Sequence, residues 1–289
     1  MARSTTLSSS RLSSFRVVTD STADLPEAWR SQFGIEVVPL NVIFGNESFK
    51  DRVELSNAEF FARLASASQL PTTSAPAPGE FAKVYERLSR ECDAVISIHI
   101  GSSLSGTADA ARNGAHAVAG FPVHVVDSRS VTMTIAFLCR IAAESATVEE
   151  ALASVEERVP RQRVLALLDT LRYLQMGGRI KRAEAMIGSI LDLKPILGLA
   201  NGEIKSVDRV RTRGKAISRM MELLTQDLPA EHVAVVHAQA PDEAETLREQ
   251  LSAHPALKGV EVEVGQIGAV LATHTGPQAL GLVYIKAEG

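Results

Sequence analysis

The sequence predicts an α/β protein made of two α/β domains, the first with a mainly parallel three-layer sheet and the second with a mixed sheet, with a ligand at their interface. Short β-rich runs alternate with helical stretches from Phe15 onward, as in "FRVVTDS" followed by "DLPEAWRSQFG", which is the rhythm of βαβ units. Later, "ILGLANGEIKSVDRVR" sets Asn201-Gly202 between two alternating arms, a hairpin signal that a purely parallel sheet would not show. The length of 289 residues suffices for two cores of ordinary size. The expected boundaries are a disordered extension over 1–14, a first domain over 15–162 and a second over 163–289, with the last strand the one element that could rejoin the first domain.

The elements follow in order. Asp24 and Glu27 read as a capping box with Pro26 in the first turn and Gly34 as the stop, and "IEVVPLNVIF" is the next β-rich run. Helices are expected over "NAEFFARLASAS" and "GEFAKVYERLSREC", and "AVISIHI" is a buried strand. "GSSLSGTADAARNGAHAVAG" is a Gly/Ser turn opening a helix, "VHVVDS" a strand and "SVTMTIAFLCRIAAESA" a helix. "TVEEALASVEERVP" is a charged amphipathic helix ended by Pro160, after which "RVLALLD" restarts the strand signal. Beyond the hairpin come helix "GKAISRMMELLTQD", strand "HVAVVHA", helix "DEAETLREQLSA" and strands "VEVEVGQI" and "ALGLVYIK".

Composition excludes several functions. A formal net charge of -4 and an aromatic share of 4% offer neither a field for polyanions nor platforms for stacked bases, so nucleic acid is not an expected partner. Cys92 and Cys139, the only cysteines, lie far apart, which fits a reducing cytoplasm and gives no thiolate cluster for zinc. No metal or cofactor is expected. No apolar run approaches the roughly 20 residues that span a bilayer, and "MARSTTLSSSRLSS" lacks the apolar core of a secretory signal.

Chemistry concentrates in a few loops. In "HIGSSLSGTADA", Gly101, Ser102, Ser103, Ser105 and Gly106 follow a strand and open a helix; backbone N–H groups and hydroxyls there suit an anion, and equally each serine could simply cap the helix. Gly177-Gly178 precedes Arg179, so a chain stop positions a guanidinium able to grip carboxylate or phosphate; a surface salt bridge is the commoner fate of a lone arginine. His274 sits between threonines before Gly276-Pro277, read as a turn between strands. Arg209, Arg211, Arg213 and Lys215 form a basic run, by default a solvated face. His99, at the end of an apolar run, reads as core. Walker A, GxSxG, HExxH and GxGxxG patterns are absent. The stretch "PTTSAPAPGEF" has a linker's composition, yet it lies inside the first domain and leads straight into a helix, so its prolines stiffen a loop.

Taken together, "VTDSTADLP", "PTTSAPAPGEF", "GSSLSGT", "VVDS", "LQMGGRI", "LDLKPIL" and "HTGPQALGL" occur in the order and rough spacing of the bacterial DegV family, and from Phe15 onward the chain resembles that family. The resemblance implies a long-chain fatty acid bound between the two domains, and a lipid-binding subunit, without a complete active site of its own, that presents the carboxylate to an ATP-dependent fatty-acid kinase for acyl-phosphate formation in phospholipid synthesis. It puts Thr72 and Ser102 on the carboxylate, Ser74 and Ser105 close by, Arg179 and His274 around the head group and transferred phosphate, and Arg211 and Arg213 in the region that meets the kinase. Ala75 stands where the family often has Gln, Gly101 where a serine is common, and Gln278 where a glycine is usual. Met186, Ile187, Ile190, Leu191 and Ile196 are candidates for the apolar tunnel, most of them expected to be ordinary core. Two other readings compete: an acyl-ester hydrolase assembled from Ser102 and His274, and a ligand-responsive regulator.

Overall fold

The computed structural model of the chain describes residues 14–179 and 194–288. In chain order it runs β1 (Phe15–Asp20), α1 (Glu27–Phe33), β2 (Glu36–Val38), β3 (Asn41–Phe44), β4 (Glu47–Lys50), α2 (Asn57–Ser66) and β5 (Thr72–Ser74). There follow α3 (Pro78–Leu88), β6 (Ala94–His99), α4 (Thr107–His116), β7 (Val123–Asp127), α5 (Met133–Glu144) and α6 (Val148–Arg158). The remainder is β8 (Gln162–Leu167), α7 (Arg172–Met176), β9 (Lys194–Ala200), β10 (Glu203–Val210), α8 (Arg213–Asp227) and β11 (Ala230–His237), then α9 (Pro241–Ser252), β12 (Val262–Gln266), α10 (Ala269–Thr275) and β13 (Leu280–Lys286).

Two α/β units result. The first holds an all-parallel sheet in the order β2-β1-β6-β7. Its central strand β6 is buried along its whole length, as parallel strands covered on both faces must be. Helices α3 and α4 pack on one face through Phe81, Tyr85 and Ala111; α5, with α1 and α6 beside it, covers the other. The second unit is a mixed sheet, β10-β9-β8-β13-β11-β12, in which only β11 and β12 run parallel. Asn201 (φ 52°) and Gly202 (φ 79°) close the expected β9–β10 hairpin, left-handed at both central positions as a tight hairpin turn requires. The last strand β13 pairs with β8 and β11 in the middle of this sheet, not with the first.

The run "IEVVPLNVIF" does not stay in one sheet. Pro39 separates β2, in the parallel sheet, from β3, which turns into a small antiparallel sheet ordered β4-β3-β5. Within "PTTSAPAPGEF", "TTS" is therefore a strand: β5 pairs with β3 in the register Val42↔Thr73. Strand alternation then sends Thr73 one way and Thr72 and Ser74 the other.

The first two turns of α5 are buried on every side, Met133 through Cys139, as expected of a segment with no solvent face, while Arg140 and Glu144 pair at its solvent-reaching end. It packs against β1 and β6 of one sheet and β8, β11 and β13 of the other. Trp29 approaches Phe137 at 5.8 Å between ring centroids, and Phe137 stacks on His232 of β11 at 4.9 Å. One apolar core thus runs from Val17 in β1 through α5 to Ile285 in β13. Truncating a large side chain in such a place costs roughly 3–5 kcal/mol.

The expected capping box at Asp24 does not form. Pro26 is the N-cap of α1 with no side-chain bond, while Asp24 closes a short 3-10 turn after β1 with φ 48°. Its fully buried carboxylate spans the two units instead: Oδ1 accepts from Arg52 (2.7 Å) and from the Gly268 amide (2.8 Å), and Oδ2 from Thr132 (2.7 Å). Burial pushes this carboxyl up, and Arg52, Thr132 and Gly268 pull it back. Next to it Asp51 is 1% exposed. Ser21 and Ala269 are its nearby donors, but neither carboxylate oxygen has a partner in hydrogen-bonding geometry. Desolvation raises its pKa from 3.8 to about 6. Both aspartates face the start of α10, the helix that carries His274.

Candidate functional site

In open α/β sheets, ligands bind beyond the carboxyl ends of the strands, where the order of connections reverses. Here that place lies beside β1, because the chain crosses from β1 to β2 on one side and reaches β6 on the other. A cavity opens there, with about 810 Å³ of atom-free space including its mouth. The first unit supplies Leu40, Thr73, Ile100, Leu104, Ser105 and Val131. The inner face of the mixed sheet forms the floor through Val164 and Ala166 of β8, Leu197 and Leu199 of β9 and Ile204 of β10. Leu174 of α7 and Val270, Leu271, His274 and Thr275 of α10 close the remaining side. Both units are needed to enclose it, and its wall is mostly aliphatic, as small-molecule sites generally are.

The polar groups converge at one end. His274 lies in the last turn of α10, not in a turn between strands; its Nε2 is 2.9 Å from Thr73 Oγ1, and its Nδ1 is buried without a partner. Burial, and secondarily the nearby Arg179 guanidinium, push the imidazole down to about 4, so it is neutral at neutral pH. The Gly177-Gly178 pair has two separate jobs. A Cβ on Gly177 would lie 2.1 Å from His274 Nδ1, and Gly178 takes φ 71° to turn the chain out of α7. Arg179 then folds back, with Nη1 donating to Gly177 O at 2.6 Å and Nε reaching Leu104 O of the other unit at 3.4 Å. It borders both the cavity and a second recess, lined by Leu70, Pro71, Thr72, Tyr173 and Met176 together with Thr73 and His274.

Of the residues proposed from sequence, the structure gathers Ser105, Arg179 and His274 on the cavity wall. The threonine that joins them on the cavity wall is Thr73, where the resemblance implies Thr72. Thr72 is exposed and lines the recess, whose wall Thr73, Arg179 and His274 share, and Ser74 Oγ accepts from Asn41 Nδ2 at 3.2 Å. Ser102 lies off the cavity wall: its amide and hydroxyl both donate to Asp127, at 3.1 and 2.5 Å. Ser103 Oγ donates to Gly202 O, tying the β6–α4 turn to the hairpin tip. Ser105 Oγ pairs with Thr107 at 2.8 Å. The Ser102–His274 dyad is thus not assembled. Ile196 points away from the cavity into the core beneath α8, and Met186, Ile187, Ile190 and Leu191 lie outside the described residues. Arg213 is held by Glu243 at 2.5 to 2.9 Å and by Gln278 O at 2.7 Å, whereas Arg211 is exposed just before α8.

A second constellation has the residue types of a catalytic triad. Ser97 Oγ is 2.7 Å from His99 Nε2, and His99 Nδ1 is 2.9 Å from Asp20 Oδ2, with Tyr85 OH on the serine at 2.8 Å. All four residues are 0% exposed, so substrate has no access to this serine. The network instead joins the ends of β1 and β6, since Asp20 also accepts from Ile100 N and from Thr22. His99 is core, as the sequence suggests. Among the described residues, no group of three or more His, Cys, Asp or Glu side chains is placed to hold a metal. Nor is any described helix long and apolar enough to cross a membrane.

Comparison with known proteins agrees with this architecture. The protein DegV of Bacillus subtilis is 39% identical over 277 residues, covering 93% of this chain and 98% of its own. A solved structure of a DegV family protein of Thermus thermophilus, described as binding fatty acid, superposes with a TM-score of 0.88 at 32% identity over 94% of this chain and 99% of the other. The structure of DegV from Bacillus subtilis, described as a fatty acid binding protein, gives 0.86 at 38% identity over 95% and 100%. The family model described as "Uncharacterised protein, DegV family" matches residues 14–287, and the chain belongs to the DegV family.

Proposed function

We propose that this protein binds a long-chain fatty acid in the cavity between its two units and presents the carboxylate to an ATP-dependent kinase subunit, giving an acyl phosphate for phospholipid synthesis. The observation that carries the reading is the form of the cavity: an aliphatic enclosure with Thr73, His274, Arg179 and Ser105 at one end. Burying a chain of about fifteen methylenes at about 0.8 kcal/mol each gives roughly 12 kcal/mol before association costs, ample for tight retention. A carboxylate is costly to desolvate and needs several donors. Thr73 and Ser105 offer hydroxyls, and the exposed Arg179 offers a charge at the rim without burying one. The fatty-acid binding described for the relatives supports the same ligand class. The Ser-His hydrolase reading has no assembled dyad to support it. Arg211, exposed just before α8, is a basic group open to such a kinase, with Arg213 holding that turn through Glu243. A cytoplasmic location fits such a partner.

Whole-protein mass spectrometry after gentle purification should recover a long-chain fatty acid, and delipidated protein should rebind palmitate. Recovering none and seeing none rebind overturns the reading. With kinase and ATP supplied, Arg179→Ala and His274→Ala should keep most lipid binding yet lose acyl-phosphate formation by roughly tenfold or more. Normal turnover in both variants would remove these residues from the phosphate-transfer end.

A further inference from the structure

On the floor of the cavity Gly198 of β9 contributes backbone, and Ala166 of β8 is the one small side chain. Val164, Leu197, Leu199 and Ile204 are large, and Ala166 lies among them, directly opposite Leu197 on β9. Its other cross-strand neighbour is Gly281 of β13, also small, but the space over Gly281 is taken: a Cβ there would lie 2.6 Å from Val236 Cγ2. Ala166, packed against the core on one side, borders the open volume of the cavity. Strand β8 is flanked on both sides by hydrogen-bonded strands, and residues 164, 165, 167 and 168 are all buried, yet Ala166 is only partly buried. The exposure is onto the cavity that Ala166 lines.

We infer that Ala166 sets the length and width of the acyl chain this protein accepts, by leaving a notch in the floor that any larger side chain would fill. This rests on the fatty-acid reading of the same cavity. Close-packed interiors hold few voids larger than a water molecule, so volume added at this position comes out of the ligand's room. Position 166 suits such control for a further reason. A strand interior fixes where its side chain points to within a rotamer, whereas cavity residues on the loops can move aside.

The experiment is a competition. Delipidated wild type and Ala166→Leu are each offered an equimolar series of saturated fatty acids from laurate to arachidate, with oleate and stearate as a bent and straight pair, and bound species are counted by native mass spectrometry. The preferred saturated chain should shorten by about two to four carbons in Ala166→Leu, and the oleate-to-stearate ratio should change by roughly threefold or more. Ala166→Gly should move the preference the opposite way. Ala166→Val, β-branched and at home in a strand, is read in place of the leucine variant if that variant does not fold. Unchanged preferences in the folded larger variant and in Ala166→Gly overturn the inference. Wild type that binds no member of the series overturns the fatty-acid reading itself, a separate outcome.

Discussion

Thr73→Val should weaken palmitate binding roughly 10- to 100-fold while changing the affinity for hexadecanol by less than about threefold. The substitution keeps the shape of the side chain and removes its hydroxyl. That hydroxyl is 2.9 Å from His274 Nε2, so its loss leaves a buried ring with neither nitrogen partnered, since Nδ1 already has none. It also takes a donor from the carboxylate. A hydrogen bond to a charged group contributes about 1.5–3 kcal/mol, which gives the expected factor. The alcohol carries no charge and depends on the aliphatic wall. Thr72→Val, one residue away on the opposite face of β5, should leave both affinities unchanged. Isothermal titration of the two variants decides the matter, and a large loss in Thr72→Val with none in Thr73→Val would refute the placement.

The second large effect concerns stability. Asp51 is buried without a hydrogen-bonded partner, and desolvation raises its carboxyl to about 6 from an ordinary 3.8. A raised pKa means that the fold prefers the protonated form. Below about pH 4 the group is largely neutral in folded and unfolded chains alike and costs nothing. As pH rises through 6, the folded state must hold a buried charge between Asp24 and the start of α10, and the stability contributed by the neutral acid is lost. Asp51→Asn removes that charge with little change of shape. Its expected gain is about 2–3 kcal/mol near pH 8, or a rise in Tm of about 4–10 °C for a chain of this size, shrinking to nothing by about pH 4. Thermal melts of both proteins across that range test this; a variant no more stable than wild type near pH 8 would show that the charge is compensated.

The parallel strands were legible because covered strands must be apolar throughout: "AVISIHI" reads as β6 with no other information. The Asn201-Gly202 hairpin was legible because few residue pairs tolerate two left-handed positions in succession. What failed depended on partners remote in sequence. Asp24 followed three residues later by Glu27 has the letters of a helix cap, but Arg52 and Gly268 recruit it elsewhere. Ser102 looked free to meet a ligand because Asp127 was not visible as its acceptor. Thr72 and Thr73 could not be told apart, since a three-residue strand is too short to show a period and its orientation comes from pairing with β3. His274 was misplaced because the small side chains of "AVLATHT" weaken the helical stripe. Arg179 and Ser105, which line the cavity, could be singled out because the glycine turns beside them are local in sequence.

Helix α5 has a consequence for how a ligand gets in. Because it is buried against both sheets and shares one apolar core with each, the two halves cannot swing apart like a clamshell without exposing Phe137, Met133 and their neighbours to water. On the fatty-acid reading proposed above, cargo exchange would belong to the periphery, to the short α7 segment with exposed Met176 and to the turn that Ser103 fastens to the hairpin tip. Loading and unloading become a matter of local breathing at the rim, and their rates should follow the strength of those few fastenings more closely than the stability of the protein as a whole.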